Sequence, residues 1–144
     1  MTDKTRFQNR VALITGAGSE SGIGFATARI LAKGGAGVAI TSTTDRIYER
    51  AKAMVTEVTA VIGYTADLMD RDQVKRLVHT VISDFGHIDI LVNNAGMVQM
   101  GKEETFIHLV ELAPAEWDES IGRNLKHLQY GHNCSLSYRV KRHA

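Results

Sequence analysis

Cysteine is almost missing from this sequence. Cys134 stands alone, so no disulfide can form within the chain, and an oxidising compartment has nothing to stabilise. A charge excess is missing too: 17 Lys and Arg face 16 Asp and Glu, which leaves no global field to draw the protein to nucleic acid or to a membrane surface. No stretch is long and apolar enough to span a bilayer, and the opening MTDKTRFQNR lacks the apolar core of a signal peptide; a cytoplasmic location is the expectation. His79, His87, His108, His127, His132 and His143 are scattered without HExxH or paired Cys–His spacing, so no metal site is expected. Internal repeats and low-complexity segments are absent as well.

What remains is an ordinary globular composition, 44% apolar and 23% charged over 144 residues, enough for one core. Short β-rich runs recur at Val11 to Thr15, Val38 to Thr41, Ala60 to Thr65 and Ile88 to Val92, each separated by room for a crossover helix. That alternation reads as parallel strands in βαβ units. Helical stripes are expected at Ile23, Thr27, Ile30 and Leu31; at Ile47, Ala51, Met54, Val55 and Val58; and at Val74, Leu77, Val78, Val81 and Phe85. The third of these helices carries its own signals, with Asp70 and Gln73 spaced as a capping-box variant and Gly86 at the stop. A fourth begins near Pro114 and runs Trp117, Ile121, Leu125, Leu128, with Asn124 on the same stripe. The irregular connection from Gly96 to Ala113 is long for a compact domain, a length usually kept for function. After Leu128 neither helix nor strand period continues, and no acid occurs from Ser120 to the end; residues 1–128 are read as one domain and 129–144 as a divergent tail.

The chemistry-bearing motif follows the first strand: Thr15-Gly16-Ala17-Gly18-Ser19-Glu20-Ser21-Gly22-Ile23-Gly24, then a helix. Glycines let backbone N–H groups approach a pyrophosphate, and a helix N-terminus adds partial positive charge where the anion sits. An isolated glycine pattern can be a bare turn, but strand, glycine turn and helix in sequence is the nucleotide-cradle context.

In these residues the sequence resembles the classical short-chain dehydrogenase/reductase family, whose marks are TGxxxGxG at the first turn and NNAG after the fourth strand, here Asn93-Asn94-Ala95-Gly96. The resemblance implies a Rossmann-like, doubly wound α/β sheet, cut to about four strands and four helices. It implies cofactor contacts at Gly16, Ser19, Gly22, Ile23, Gly24, Ser42, Thr43, Asp67, Leu68, Asn94, Ala95 and Gly96, and a catalytic-site asparagine at Asn124. Taken singly, Asp67 could start a turn, Asn93 and Asn94 could shape a loop, and Asn124 could be a satisfied amide; their order at strand ends favours the functional reading. One departure is a phosphate loop longer than the family pattern, with five residues between Gly16 and Gly22. Ser42 stands where NAD-preferring relatives carry an acid, so NADP is expected over NAD, with Ser42, Thr43 and Arg46 available to a 2′-phosphate and Glu20 opposing by repulsion.

The family's serine and Tyr-x-x-x-Lys are not matched. Tyr138-Arg139-Val140-Lys141 has the wrong spacing, turning Lys141 about 100° around a helix, and Ser135 and Ser137 follow Asn124 too closely for a further strand. The expected function is therefore a fragment-like reductase or dehydrogenase acting on a carbonyl/alcohol pair, such as a 3-oxoacyl thioester. The alternatives are an inactive nucleotide- or partner-binding module, or a truncated product without function. An open fourth-strand edge is expected to favour self-association.

Overall fold

The computed structural model describes residues 5–55, 59–96, 111–126 and 128–129. The four β-rich runs form strands β1 (Val11–Thr15), β2 (Gly37–Ser42), β3 (Val61–Thr65) and β4 (Ile90–Val92). Between and after them come α1 (Ile23–Lys33), α2 (Arg46–Lys52), α3 (Arg71–Phe85) and α4 (Pro114–Ile121), the last continuing into a π-helical turn, Gly122–Lys126. All strand pairs are parallel in the order β3-β2-β1-β4, with Leu13 beside Ala39 on one side and Leu91 on the other. The chain builds outward from β1 through β2 to β3, then returns to the opposite side of β1, so the direction of winding reverses between β1 and β4.

Alternation along β1 and β2 divides the core into two layers. Ala12, Ile14, Val38 and Ile40 meet Phe25, Ala28 and Leu31 of α1 and Ile47 and Ala51 of α2. Leu13 and Ala39 point the other way, onto Leu77 and Val81 of α3. Helices on both faces make the central strands apolar throughout, as burial on two sides requires. Fully buried Ile14 and Ile40 each hold this arrangement by an amount for which truncation to alanine costs about 2–5 kcal/mol.

The α3 stripe lies as its sequence implies: Val74, Leu77, Val78 and Val81 are buried, Phe85 packs at the edge, and Gly86 closes the helix at φ +83°. Pro114 opens α4, where Glu116 accepts from the Ala113 N–H at 3.1 Å. The α1 stripe requires correction. Ile23 and Ile30 are 79% and 60% exposed, and the buried face is Gly24, Phe25, Ala28, Leu31 and Ala32. The small residues on that face, Gly24, Ala28 and Ala32, let α1 lie close against its neighbours, and Gly24 leaves no room for a Cβ beside Asn94 and the Gly16 carbonyl. On α2, Ile47, Ala51 and Met54 are buried, whereas Val55 beyond the helix end is exposed, and Val58 lies outside the described residues. The apolar stripe of α4 is also uncovered, with Trp117 48% and Leu125 55% exposed and no residue of the helix buried.

Strand β4 begins two residues later than its apolar run suggests. The Val11 N–H that opens the β1 edge is taken by the Asp89 carboxylate at 2.8 Å rather than by a strand carbonyl. Asp89 also meets Arg10 and His87, and although desolvation opposes it, the Val11 N–H, His87 and Arg10 together hold this carboxyl below the usual range. Most of the Gly96 to Ala113 connection and of the tail lies outside the described residues.

Candidate functional site

The glycine turn, Ser42 and Thr43, Asp67 and Leu68, and Asn93 to Gly96 stand at the C-terminal ends of β1, β2, β3 and β4, and Asn124 lies in the π-helical turn after α4, while Ser135, Ser137, Tyr138 and Lys141 lie outside the described residues. At the end of β1 the buried Thr15 hydroxyl accepts from the N–H groups of Asn94 at 3.0 Å and Ala95 at 2.9 Å, and donates to the Val92 carbonyl at 3.3 Å. The Asn94 amide returns the tie, donating to the carbonyls of Thr15 and Gly16 at 3.1 and 3.0 Å. The turn after β1 and the segment after β4 are therefore one hydrogen-bonded unit. Two glycines make the fit possible. Gly16 has φ +69°, and a Cβ there would stand 2.7 Å from the Ala95 Cα; a Cβ on Gly24 would stand 2.5 Å from the Asn94 amide nitrogen.

Helix α1 starts from this unit. Its N-cap, Gly22, is extended at φ −80° and has no side chain with which to cap, and the first turn carries no acid. The helix end thus keeps its partial positive charge for an outside partner. Around it the loop is braced by its own atoms: the Gly22 N–H donates to the Ser19 carbonyl at 3.1 Å, and the Ser19 and Ser21 hydroxyls are 3.3 Å apart. Ile23, the first residue of the helix, is 79% exposed.

At the end of β2, Ser42 closes a small turn with Thr44, its hydroxyl donating to the Thr44 carbonyl at 2.9 Å and accepting from the Thr44 N–H at 3.3 Å. Thr43 between them is exposed, and Arg46 donates to the Thr44 hydroxyl at 3.3 Å. At the end of β3, Asp67 accepts from the Met69 N–H at 2.9 Å and gives its own N–H to the Gln73 side chain, while Leu68 packs on the second core layer. The turn-forming roles of Asp67 and Asn94 are thus present in the structure alongside any ligand role. Asn124 sits in the π-helical turn, donates to the Ser120 carbonyl at 3.0 Å, and places its Oδ1 where a Cβ on Gly96 would approach to 2.8 Å. Single π-turns within helices often mark functional positions. Asn124 therefore stands beside the end of the Asn93 to Gly96 motif, and Gly122 stands against the Met69 side chain.

Two residues of the site escape a motif reading. Thr15 looks like any β-branched strand residue; its one signal is a hydroxyl immediately before the glycine turn. Arg50 of α2 crosses to the phosphate loop, its Nη1 2.7 Å from Glu20 and its Nε 3.4 Å from the Gly18 carbonyl, a contact with no local signature. A separate cleft of about 370 Å³ runs along the β3 edge, lined by Tyr48, Tyr64, Thr65, Gln73 and Arg76, and none of Gly16, Ser42, Asn94 or Asn124 borders it. Burial, then the hydrogen bond and charge of Asp84, push the Tyr64 phenol far above its ordinary range, so that hydroxyl is no ready acid or base.

The donor set suits a dinucleotide phosphate: an uncapped helix end for a pyrophosphate, a hydroxyl in place of an acid at Ser42 for a phosphorylated ribose, and the β1/β4 winding reversal where open α/β sheets bind ligands. Comparison with known proteins agrees. The short chain dehydrogenase family model matches residues 10–138, a range that runs past Leu128 into the stretch set apart above as a tail. Among curated proteins, the (2S)-[(R)-hydroxy(phenyl)methyl]succinyl-CoA dehydrogenase subunit BbsD of Thauera aromatica is 45% identical over 123 residues, covering 83% of this chain and 45% of the relative. The 3-oxoacyl-[acyl-carrier-protein] reductase FabG of Thermotoga maritima is 38% identical over 125 residues, covering 84% and 46%. The chain spans a little under half the length of these relatives. Among solved structures, a short chain dehydrogenase from Mycobacterium smegmatis superposes with a TM-score of 0.81 at 26% identity, over 93% of this chain and 54% of that one. A short chain dehydrogenase from Burkholderia cenocepacia in complex with NADP gives 0.73 at 34% identity, over 92% and 51%. With a Rossmann-like sheet, the glycine turn tied to Asn94 and a family match over most of its length, the chain belongs to the short chain dehydrogenases, a family of oxidoreductases.

Proposed function

We propose that the chain supplies the NADP-binding part of an oxidoreductase acting on a carbonyl/alcohol pair, with 3-oxoacyl thioesters as the substrate class. The observation that carries this is the junction between β1 and β4, where the uncapped α1 terminus, the glycine turn and Asn94 meet at the reversal of winding. When bound, the nicotinamide gives or takes the hydride. Gly16, Ser19, Gly22, Ile23 and Gly24 would hold the pyrophosphate, Ser42 and Thr43 the adenosine ribose and its phosphate, Asp67 and Leu68 the adenine. Asn94, Ala95 and Gly96 would border the nicotinamide half, and Asn124 would position a water for proton relay. The preference for NADP over NAD is supported by the hydroxyl of Ser42 in place of an acid and by the NADP named for the Burkholderia structure. The substrate class is supported by the acyl carriers in the names of both curated relatives.

A domain over residues 1–128 with a distinct 129–144 tail, a cytoplasmic setting and self-association along β4 belong to the same proposal, the last supported by the place of β4 at the end of the strand order among the described residues. Calorimetric titration with NADP⁺ and NAD⁺ tests the main reading. NADP⁺ is expected to bind tighter by about tenfold, or about 1.4 kcal/mol; binding of neither overturns it. Nicotinamide absorbance with a 3-oxoacyl thioester then separates catalysis from binding alone.

A further inference from the structure

The lengthened phosphate loop has a specific partner. Arg50 lies one turn beyond Arg46 on α2, its side chain 23% exposed, and reaches over the sheet edge to the loop after β1. There it holds the Gly18 carbonyl and pairs with Glu20, the acid that the longer loop contributes and whose side chain is 65% exposed. Gly18 in turn stands against Ser42: a Cβ on it would lie 3.0 Å from the Ser42 Cβ and 3.2 Å from its hydroxyl. Gly18, Ser42 and Arg50 are therefore one cluster at the end of β2, where the ribose end of a dinucleotide falls in a sheet of this winding. Arg46, by contrast, donates to the Thr44 hydroxyl and is exposed.

We infer that Arg50 is the residue that recognises the 2′-phosphate of NADP, and that Glu20 is a positioning residue that keeps the guanidinium at the loop until the phosphate replaces it; this rests on the cofactor reading above. A guanidinium carries five donors in a rigid fork, so Arg50 can keep the Gly18 carbonyl while turning its outer N–H groups from a single carboxylate to a phosphate of higher charge. Because the phosphate must displace Glu20 from this pairing, the carboxylate competes with the cofactor, and its neutralisation relieves that competition.

The test is titration of the chain and of its Arg50→Gln, Arg46→Gln and Glu20→Gln variants with NADP⁺ and NAD⁺, each variant first shown by thermal melting to fold. Arg50→Gln is expected to weaken NADP⁺ by about thirtyfold and NAD⁺ by less than about threefold, the difference expected of a lost charge-assisted phosphate contact. Arg46→Gln is expected to change either by less than about threefold, and Glu20→Gln to tighten NADP⁺ by about threefold with NAD⁺ unmoved. Equal loss of both dinucleotides in Arg50→Gln makes Arg50 a loop brace and overturns the assignment, as does a selective loss in Arg46→Gln or weaker NADP⁺ binding in Glu20→Gln. If the unsubstituted chain binds neither dinucleotide, it is the cofactor reading itself that fails.

Discussion

Helices α1 and α3 begin in the same situation, several residues beyond the C-terminal end of a parallel strand, and their first turns are built in opposite ways. At α3 the Asp70 carboxylate accepts from the N–H groups of Asp72 at 2.8 Å and Gln73 at 3.2 Å, the Gln73 amide returns to it at 3.0 Å, and Asp72 adds a second negative charge. At α1 there is only Gly22, without a capping side chain and without an acid in the turn that follows. One terminus satisfies itself and serves stability; the other leaves its donors and its partial charge to be completed from outside. With the proposed cofactor site, folding energy and binding capacity fall to different helices on the same sheet edge.

Giving α1 the arrangement of α3 should produce the largest change. Gly22→Asp, at a position whose extended backbone accepts an acid, is expected to weaken NADP⁺ by about a hundredfold, because the carboxylate occupies the anion's donors, while the melting temperature holds or rises. Calorimetry and a thermal melt on the same sample read both halves; a melting temperature that collapses would mean that loop crowding against Ser19, rather than capping, decides the outcome. Next in size is Thr15→Val, which leaves the Asn94 and Ala95 N–H groups without their acceptor and should cost about 2–3 kcal/mol in denaturant unfolding. Asp70→Ala attacks the other helix. It should lower the melting temperature by about 5 °C and leave the dinucleotide affinity within about twofold, the mirror image of Gly22→Asp.

A pH series sharpens the same contrast. The Asp70 carboxyl is held below its ordinary range, first by the Gln73 side chain and then by the N–H groups of Gln73 and Asp72. Its folded value thus lies under the unfolded one near about 3.9, so its contribution is complete above that pH and disappears as pH falls through the folded value. Melting temperature should therefore drop below about pH 4, and Asp70→Asn should drop less over the same interval. The smallest effect belongs to Asn124→Ala. This exposed side chain bonds only one helical carbonyl in the described structure, so stability should change by less than about 1 kcal/mol, and any loss should appear in turnover of a catalytically competent form.

The self-contained helix was also the legible one. Asp70, Gln73, Gly86 and the Val74 to Val81 stripe announce α3 in the sequence because every signal is local. Helix α1 misleads because Phe25 and Leu31 share its buried face with Gly24, Ala28 and Ala32, residues with little hydrophobic signal whose value lies in letting two backbones approach. Ile23 and Ile30, which draw the eye, face solvent. Strand order and the glycine turn could be read from spacing, whereas Thr15 and Arg50 act across 79 and 32 positions of chain, and no periodicity reports a contact of that kind. Asp89 is a further case, since its carboxylate replaces a ladder carbonyl and shortens β4.

The Thr15–Asn94 tie has a consequence for how such a chain can change. Its two ends are adjacent strands, held in register by Leu13 beside Leu91, and the 79 positions of chain between them play no part in setting the distance. Insertions or deletions at the exposed turn after α3, around Gly86, should therefore alter the outline of the protein while leaving this junction where it is. A change of one residue between Leu13 and Gly16, or between Leu91 and Ala95, would move a hydroxyl away from two backbone amides at once. Tolerance to length change should follow distance across the sheet, not distance along the chain.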